Sequence, residues 1–183
     1  ALAGMEKDMK VVAISSAMDD EGKTAVACNL AAALATTRRV LLLDADLRRP
    51  SVSAAMGLPP GTPGLVQLLT RRASLDQCIK SVRSSPLRVL PAGRAASNAL
   101  DLLMSSRFDK LIAELKKHFD TIIIDCPPVQ LVSDTLVLGR AASSMIFVAR
   151  SDSTPLQVTR RALHRIDKAG IPVLGVALNA HDF

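Results

Sequence analysis

KVVAISSAMDDEGKTAVACNLAAAL, residues 10–34, is the stretch on which the fold turns. Val11 to Ser15 is a short apolar run of strand length, and Gly22-Lys23-Thr24 opens a segment of helical periodicity that runs to about Thr37. A strand, a loop and a helix that starts on Gly-Lys-Thr make the pattern of a phosphate-binding loop. In such a loop successive backbone N–H groups point inward, the Lys reaches the terminal phosphates and the Thr hydroxyl ligates Mg²⁺. The helix N-terminus adds its own partial positive charge. Ala17 stands where the pattern has its first Gly, and Asp19, Asp20 and Glu21 put acid into the loop. The rival reading is an ordinary helix start, and the rest of the chain decides between them.

Outward from this stretch, apolar runs alternate with helical segments, the signature of a parallel sheet with helices on its faces. Strands are expected at Val11 to Ser15, Val40 to Leu43, Leu87 to Leu90, Thr121 to Ile124, Ser144 to Val148 and Val173 to Leu178. Their nearly continuous Val, Ile and Leu content predicts burial on both faces. Helices are expected at Thr24 to Thr37, Ser106 to Phe119 and Pro155 to Ala169, the last with Ser153 or Thr154 as N-cap and Gly170 at its stop. The Pro- and Gly-rich residues Ser53 to Gly64 are expected to form a loop.

Two of these strands end in acid. VLLLDADLRRP, residues 40–50, places Asp44 and Asp46 after a buried strand, and TIIIDCPP, residues 121–128, places Asp125 after another. Ligands of open parallel sheets bind at the carboxyl ends of strands, so all three carboxylates are expected to face the phosphate loop. Asp125 takes the Walker B position, from which a carboxylate reaches the Mg²⁺ shell. Capping of a following turn is the plainer alternative for each. Arg48 and Arg49 read either as phosphate contacts or as a surface pair. Asn179, at the end of the last strand, reads either as a base-contacting amide or as a turn residue.

Composition bounds the partners. The chain has 183 residues, one domain's length, with 49% hydrophobic and 22% charged residues, which excludes a disordered chain. No run reaches the roughly 20 apolar residues of a membrane span. The 23 Lys plus Arg exceed the 17 Asp plus Glu, but the basic residues are scattered and there is no Trp or Tyr, so the stacking platforms of nucleic-acid binders are missing. Nucleic acid is therefore not an expected partner. Cys28, Cys78 and Cys126 have no paired spacing, so neither a disulfide framework nor a zinc site is expected. Cys126 reads as a small buried residue rather than a nucleophile.

SAMDDEGKTAVACNLA, LLLDADLRRPS, GLVQLL, LRVLPAG, NALDLLMSSRFDKLIAELKKHFDTIIIDCPPV and GVALN, taken in order, resemble the cytoplasmic catalytic domain of bacterial tyrosine kinases of polysaccharide synthesis and export, within the MinD/ParA-like P-loop ATPases. The resemblance covers nearly the whole chain, and DADLRRP combined with IDCPP is far more specific than a Walker A motif alone. It implies an α/β P-loop NTPase fold and transfer of the ATP γ-phosphoryl group to tyrosine. Carried over by position, ATP binding falls to Ala17, Asp19, Asp20, Glu21, Gly22, Lys23, Thr24, Ala25 and Asn179, and Mg²⁺ to Thr24, Asp44 and Asp125. Lys23, Asp44 and Asp46 carry catalysis, with Asp44 activating the acceptor hydroxyl and Asp46 supporting the metal or its waters. The resemblance further implies a tyrosine-containing protein tail acting in trans, a homo-oligomer, a polysaccharide co-polymerase membrane region as partner, and a place at the cytoplasmic face of the bacterial inner membrane. The chain opens on Ala rather than Met and holds no Tyr, so it is expected to be a fragment of a longer membrane-associated protein with no acceptor of its own. Two other functions stay open: a MinD/ParA-like switch ATPase, against which Met18 stands where those proteins typically carry a signature Lys, and a non-catalytic nucleotide-binding regulator of polysaccharide chain length.

Overall fold

The computed structural model describes residues 10–83, 85–151 and 153–180. Its seven strands are β1 (Val11–Ser16), β2 (Val40–Asp44), β3 (Lys80–Ser81), β4 (Arg88–Leu90), β5 (Thr121–Asp125), β6 (Ser144–Arg150) and β7 (Val173–Asn179). The helices are α1 (Lys23–Ala35), α2 (Val52–Ala55), α3 (Leu65–Leu69), α4 (Leu75–Cys78), α5 (Ala99–Leu103), α6 (Ser106–His118), α7 (Asp134–Ala141) and α8 (Leu156–Lys168). One sheet of order β3-β4-β2-β5-β1-β6-β7 carries them, parallel throughout except for the short β3 beside β4.

Alternation of side chains along the central strands divides the core in two. Val11 and Ala13, Leu41 and Leu43, and Ile122 and Ile124 face one cluster, where Phe108, Ile112 and Leu115 of α6 and Ala162 and Ile166 of α8 pack. Val12 and Ile14, Val40 and Leu42, and Ile123 face the other, covered by Ala27, Ala31 and Ala35 of α1. Small residues recurring every four positions let α1 lie close to the sheet. Both faces are thus covered by helices, the mostly parallel α/β arrangement expected of a P-loop NTPase.

Strand β5 lies between β2 and β1, although it comes much later in the chain. Its register sets Asp125 opposite Asp44 of β2 and opposite Ile14 of β1. Two acid-terminated strands and the phosphate-loop strand therefore end side by side.

Three local expectations are corrected. Strand β7 is not buried on both faces: it is the outer strand, and Val173, Leu174, Val176 and Leu178 are exposed. Neither Ser153 nor Thr154 caps α8. Pro155 occupies the N-cap position, while the Thr154 hydroxyl accepts from Arg150 N and donates to Glu21. Gly170 does stop that helix in a left-handed conformation, with φ 71°. The Ser53 to Gly64 stretch is not all loop, since α2 reaches into it.

Candidate active site

The backbone between β1 and α1 turns left-handed at Asp20 (φ 61°) and Gly22 (φ 86°). A Cβ on Gly22 would meet the Asn179 amide nitrogen at 1.9 Å, so glycine is required there both by conformation and by space. Gly22 sits at the N-cap of α1 with no side-chain cap, which leaves the first N–H groups of the helix for a ligand.

A cavity of about 300 Å³ opens at this point, lined by Asp19, Asp20, Gly22, Lys23, Thr24, Asp46, Arg49 and Ser51. Lys23 Nζ lies 3.4 Å from Asp46 Oδ2. Burial pulls the Lys23 ammonium down, but Asp125, Asp46 and Asp44 together more than offset it and hold its pKa above the usual lysine value. The Thr24 hydroxyl donates to Asp125 Oδ2 at 2.6 Å and lies 2.9 Å from Ser51 Oγ.

Asp125 Oδ1 is buried with no hydrogen-bond partner. Burial pushes the Asp125 carboxyl up to about 6, against the pull of Lys23 and Thr24. Asp44 is pushed up to about 8 by burial and by Asp125, and accepts from Val52 N at 3.1 Å and Asp46 N at 3.2 Å. Three buried carboxylates thus share one ammonium, and an unpartnered oxygen lies beside the Thr24 hydroxyl. That donor set suits a small divalent cation. Among the described residues no group of three or more His, Cys, Asp or Glu is arranged to hold a metal by itself. Mg²⁺ takes most of its ligands from water and phosphate, so a Thr hydroxyl and one or two carboxylates suffice.

Asp19, Asp20, Gly22, Lys23, Thr24 and Asp46 meet at the cavity, with Asp125 beneath Thr24. Four of the residues expected to bind nucleotide do not line it. Ala17 is buried under the loop, Ala25 lies on the first turn of α1, and Asn179 donates to the Glu21 carbonyl at 3.1 Å. Glu21 turns inward, accepting from Met18 N at 2.8 Å and from Thr154. Asp44 also lies behind the wall, fully buried, and of the two DADLRRP carboxylates only Asp46 reaches the cavity. Arg49 pairs with Asp19 at 2.7 Å across the opening, and Arg48 with Asp134 at 2.8 Å. The contacts that Asp134, Thr154 and Ser51 make at the site carried no sequence signal, because their partners lie far along the chain. Burial and the neighbouring Asp125 push the Cys126 thiol well up, which fits a packed residue and not a nucleophile.

Residues 9–169 match the AAA domain family. Tyrosine-protein kinase YwqD of Bacillus subtilis is 34% identical over 97% of the chain, which covers 75% of that protein. The chain belongs to the bacterial tyrosine-protein kinases. Tyrosine-protein kinase wzc of Salmonella typhimurium is also 34% identical over 97% of the chain, but the chain spans only 25% of its length. The succinoglycan biosynthesis transport protein ExoP of Rhizobium meliloti is 37% identical over 99% of the chain, which spans 23% of it. Among solved structures, the VpsO kinase domain superposes with a TM-score of 0.93 at 37% identity, covering 99% of this chain and 89% of that one. MinD of Pyrococcus horikoshii, solved with Mg-ADP, gives 0.77 at 27% identity over 92% of this chain and 69% of that one.

Proposed function

We propose that the chain is one ATP-binding domain that transfers the γ-phosphoryl group of ATP to tyrosine on a protein supplied in trans, within a polysaccharide synthesis or export system. The observation that carries this reading is Asp46: it alone of the DADLRRP carboxylates lines the phosphate cavity, 3.4 Å from Lys23 Nζ, where an acceptor hydroxyl would have to approach. The α1 N-terminus and Lys23 hold the terminal phosphates. Thr24 and Asp125 would hold Mg²⁺, which when bound neutralises phosphate charge. The phenol oxygen forms a bond to the γ-phosphorus, the bond from that phosphorus to the bridging oxygen breaks, and ADP leaves with the electron pair. Asp46 takes the phenolic proton and returns it to solvent, the task that the family resemblance implies for Asp44. Catalysis of this kind is mostly positioning and charge neutralisation.

The name of ExoP, a succinoglycan biosynthesis transport protein, supports an exopolysaccharide setting; a membrane-associated parent protein and assembly with further copies are part of the same proposal and rest on the family resemblance. No helix among the described residues is long and apolar enough to cross a membrane. The MinD likeness gives a second reading, a switch ATPase. Incubation with labelled ATP, Mg²⁺ and a Tyr-rich peptide, beside the same peptide with every Tyr changed to Phe, separates the two. Label on the Tyr peptide alone is expected. ATP hydrolysed with no label on either would favour the switch. The chain has no Tyr, so phosphotyrosine in the mixture comes from the peptide.

A further inference from the structure

A second cleft, of about 200 Å³, adjoins the phosphate cavity and shares Asp19, Asp46 and Arg49 with it. Its far wall is apolar, made by Pro127, Pro128, Leu131 and Val132. The turn that carries this wall is tied to the phosphate-loop strand, Val129 N donating to Ser16 O at 2.8 Å and Gln130 N to Ala17 O at 3.2 Å. Arg48, also on the cleft, is held by Asp134 at 2.8 and 3.3 Å. Because Asp134 is only 1% exposed, moving that guanidinium would leave a buried carboxylate unpaired. Leu131, in contrast, is 49% exposed, a large apolar side chain left in solvent on this wall.

We infer that this cleft seats the aromatic ring of the acceptor tyrosine against Pro127, Pro128 and Leu131, with its hydroxyl directed at Asp46. The assignment rests on the phosphotransfer reading above and specifies how that site selects its acceptor. Tyrosine has an apolar body and one polar tip, and the cleft has an apolar wall that ends in acid. Its volume is below the roughly 300–1,000 Å³ of small-molecule sites, so it fits one side chain rather than a second nucleotide. Two proline rings form a wall with little rotamer freedom to lose on binding. Asp46 stands on the partition between the openings, so a hydroxyl at the acid end of one meets the phosphates held in the other. A Ser or Thr hydroxyl at that point would leave the apolar wall bare, which makes the wall a device for choosing tyrosine.

The test uses the complete chain, Mg·ATP and peptides of one sequence carrying Tyr, Ser or Thr at a single position. The chain has no Tyr or Trp, so the peptide's own tyrosine fluorescence reports binding without a label. Wild type is expected to label the Tyr peptide only. Leu131→Asp should raise the KM for that peptide about tenfold or more, the equivalent of about 1.4 kcal/mol, while the KM for ATP moves less than twofold. Leu131→Met should restore the peptide KM. Met104→Asp, at a more exposed apolar residue that caps the C-terminus of α5, serves as the control and should behave as wild type. Peptide KM unchanged in Leu131→Asp and in Val132→Asp overturns the acceptor cleft and leaves the kinase reading standing. So does a parallel rise in the ATP and peptide KM values, which would mean that the turn merely supports the phosphate loop. Equal labelling of the Ser and Tyr peptides overturns the selectivity. ATP hydrolysed with no peptide labelled overturns the kinase reading and the cleft with it.

Discussion

Lys23 is the side chain on which most of the site depends, since it is the one ammonium among Asp44, Asp46 and Asp125 and it faces the phosphate cavity. Lys23→Met is expected to lower phosphoryl transfer by at least about 10²-fold, as loss of one preorganised donor does, with the circular dichroism spectrum unchanged. Undiminished turnover would contradict the assignment. Asp125→Asn should shift the midpoint of a magnesium titration upward by about 10- to 100-fold, because the unpartnered Oδ1 and the Thr24 contact both belong to that carboxylate. An unshifted midpoint would exclude it from the metal shell. Both residues were legible in the sequence because their motifs are contiguous with the strand or helix that aims them. The division of labour between Asp44 and Asp46 was not, since two residues of separation at a strand end do not say which carboxylate turns inward to Val52 N and which reaches the cavity.

At the scale of elements, the phosphate loop is braced from outside its own motif. Thr154, just before α8, donates to Glu21, Asn179 at the end of β7 donates to the Glu21 carbonyl, and the Arg150 guanidinium donates to the Asp20 carbonyl at 3.2 Å. Thr154→Val removes a donor from a carboxylate that is 5% exposed, at a cost of about 1–3 kcal/mol. Nucleotide affinity measured by calorimetry is expected to fall several-fold, and unchanged affinity would show that the brace has no functional part. Motif reading could not find these contacts, because Thr154 and Glu21 are 133 positions apart. The long helices α1, α6 and α8 were legible from their helical pattern, and the central strands from their continuous apolar runs. The helices α2 to α5 are four or five residues long, too short to display a period. Apolar content alone also did not distinguish β7, an outer strand, from the buried β5.

Across the whole molecule, acid concentrated at one end of the sheet couples stability to pH. In the folded chain Asp44 is raised to about 8 and Asp125 to about 6, both from 3.8, so the folded form holds protons that the unfolded form has lost. Their stabilising contribution is full below about pH 4 and disappears as pH rises through about 6 and then about 8. Without nucleotide or Mg²⁺, Tm is expected to drop by a few degrees between about pH 5 and pH 8.5, and Asp44→Asn should flatten the drop. A Tm that rises over this range would contradict the buried-acid arrangement. The same arrangement underlies the proposed activity, in which Asp46 receives a proton only when an acceptor hydroxyl is present. The most direct measurement is therefore the ratio of ADP formed to phosphotyrosine formed in one reaction with Mg·ATP and a Tyr-rich peptide. The account requires a ratio near one, with ADP formation falling steeply when every peptide Tyr is Phe. ADP released at the same rate with either peptide, and no phosphotyrosine, would contradict it.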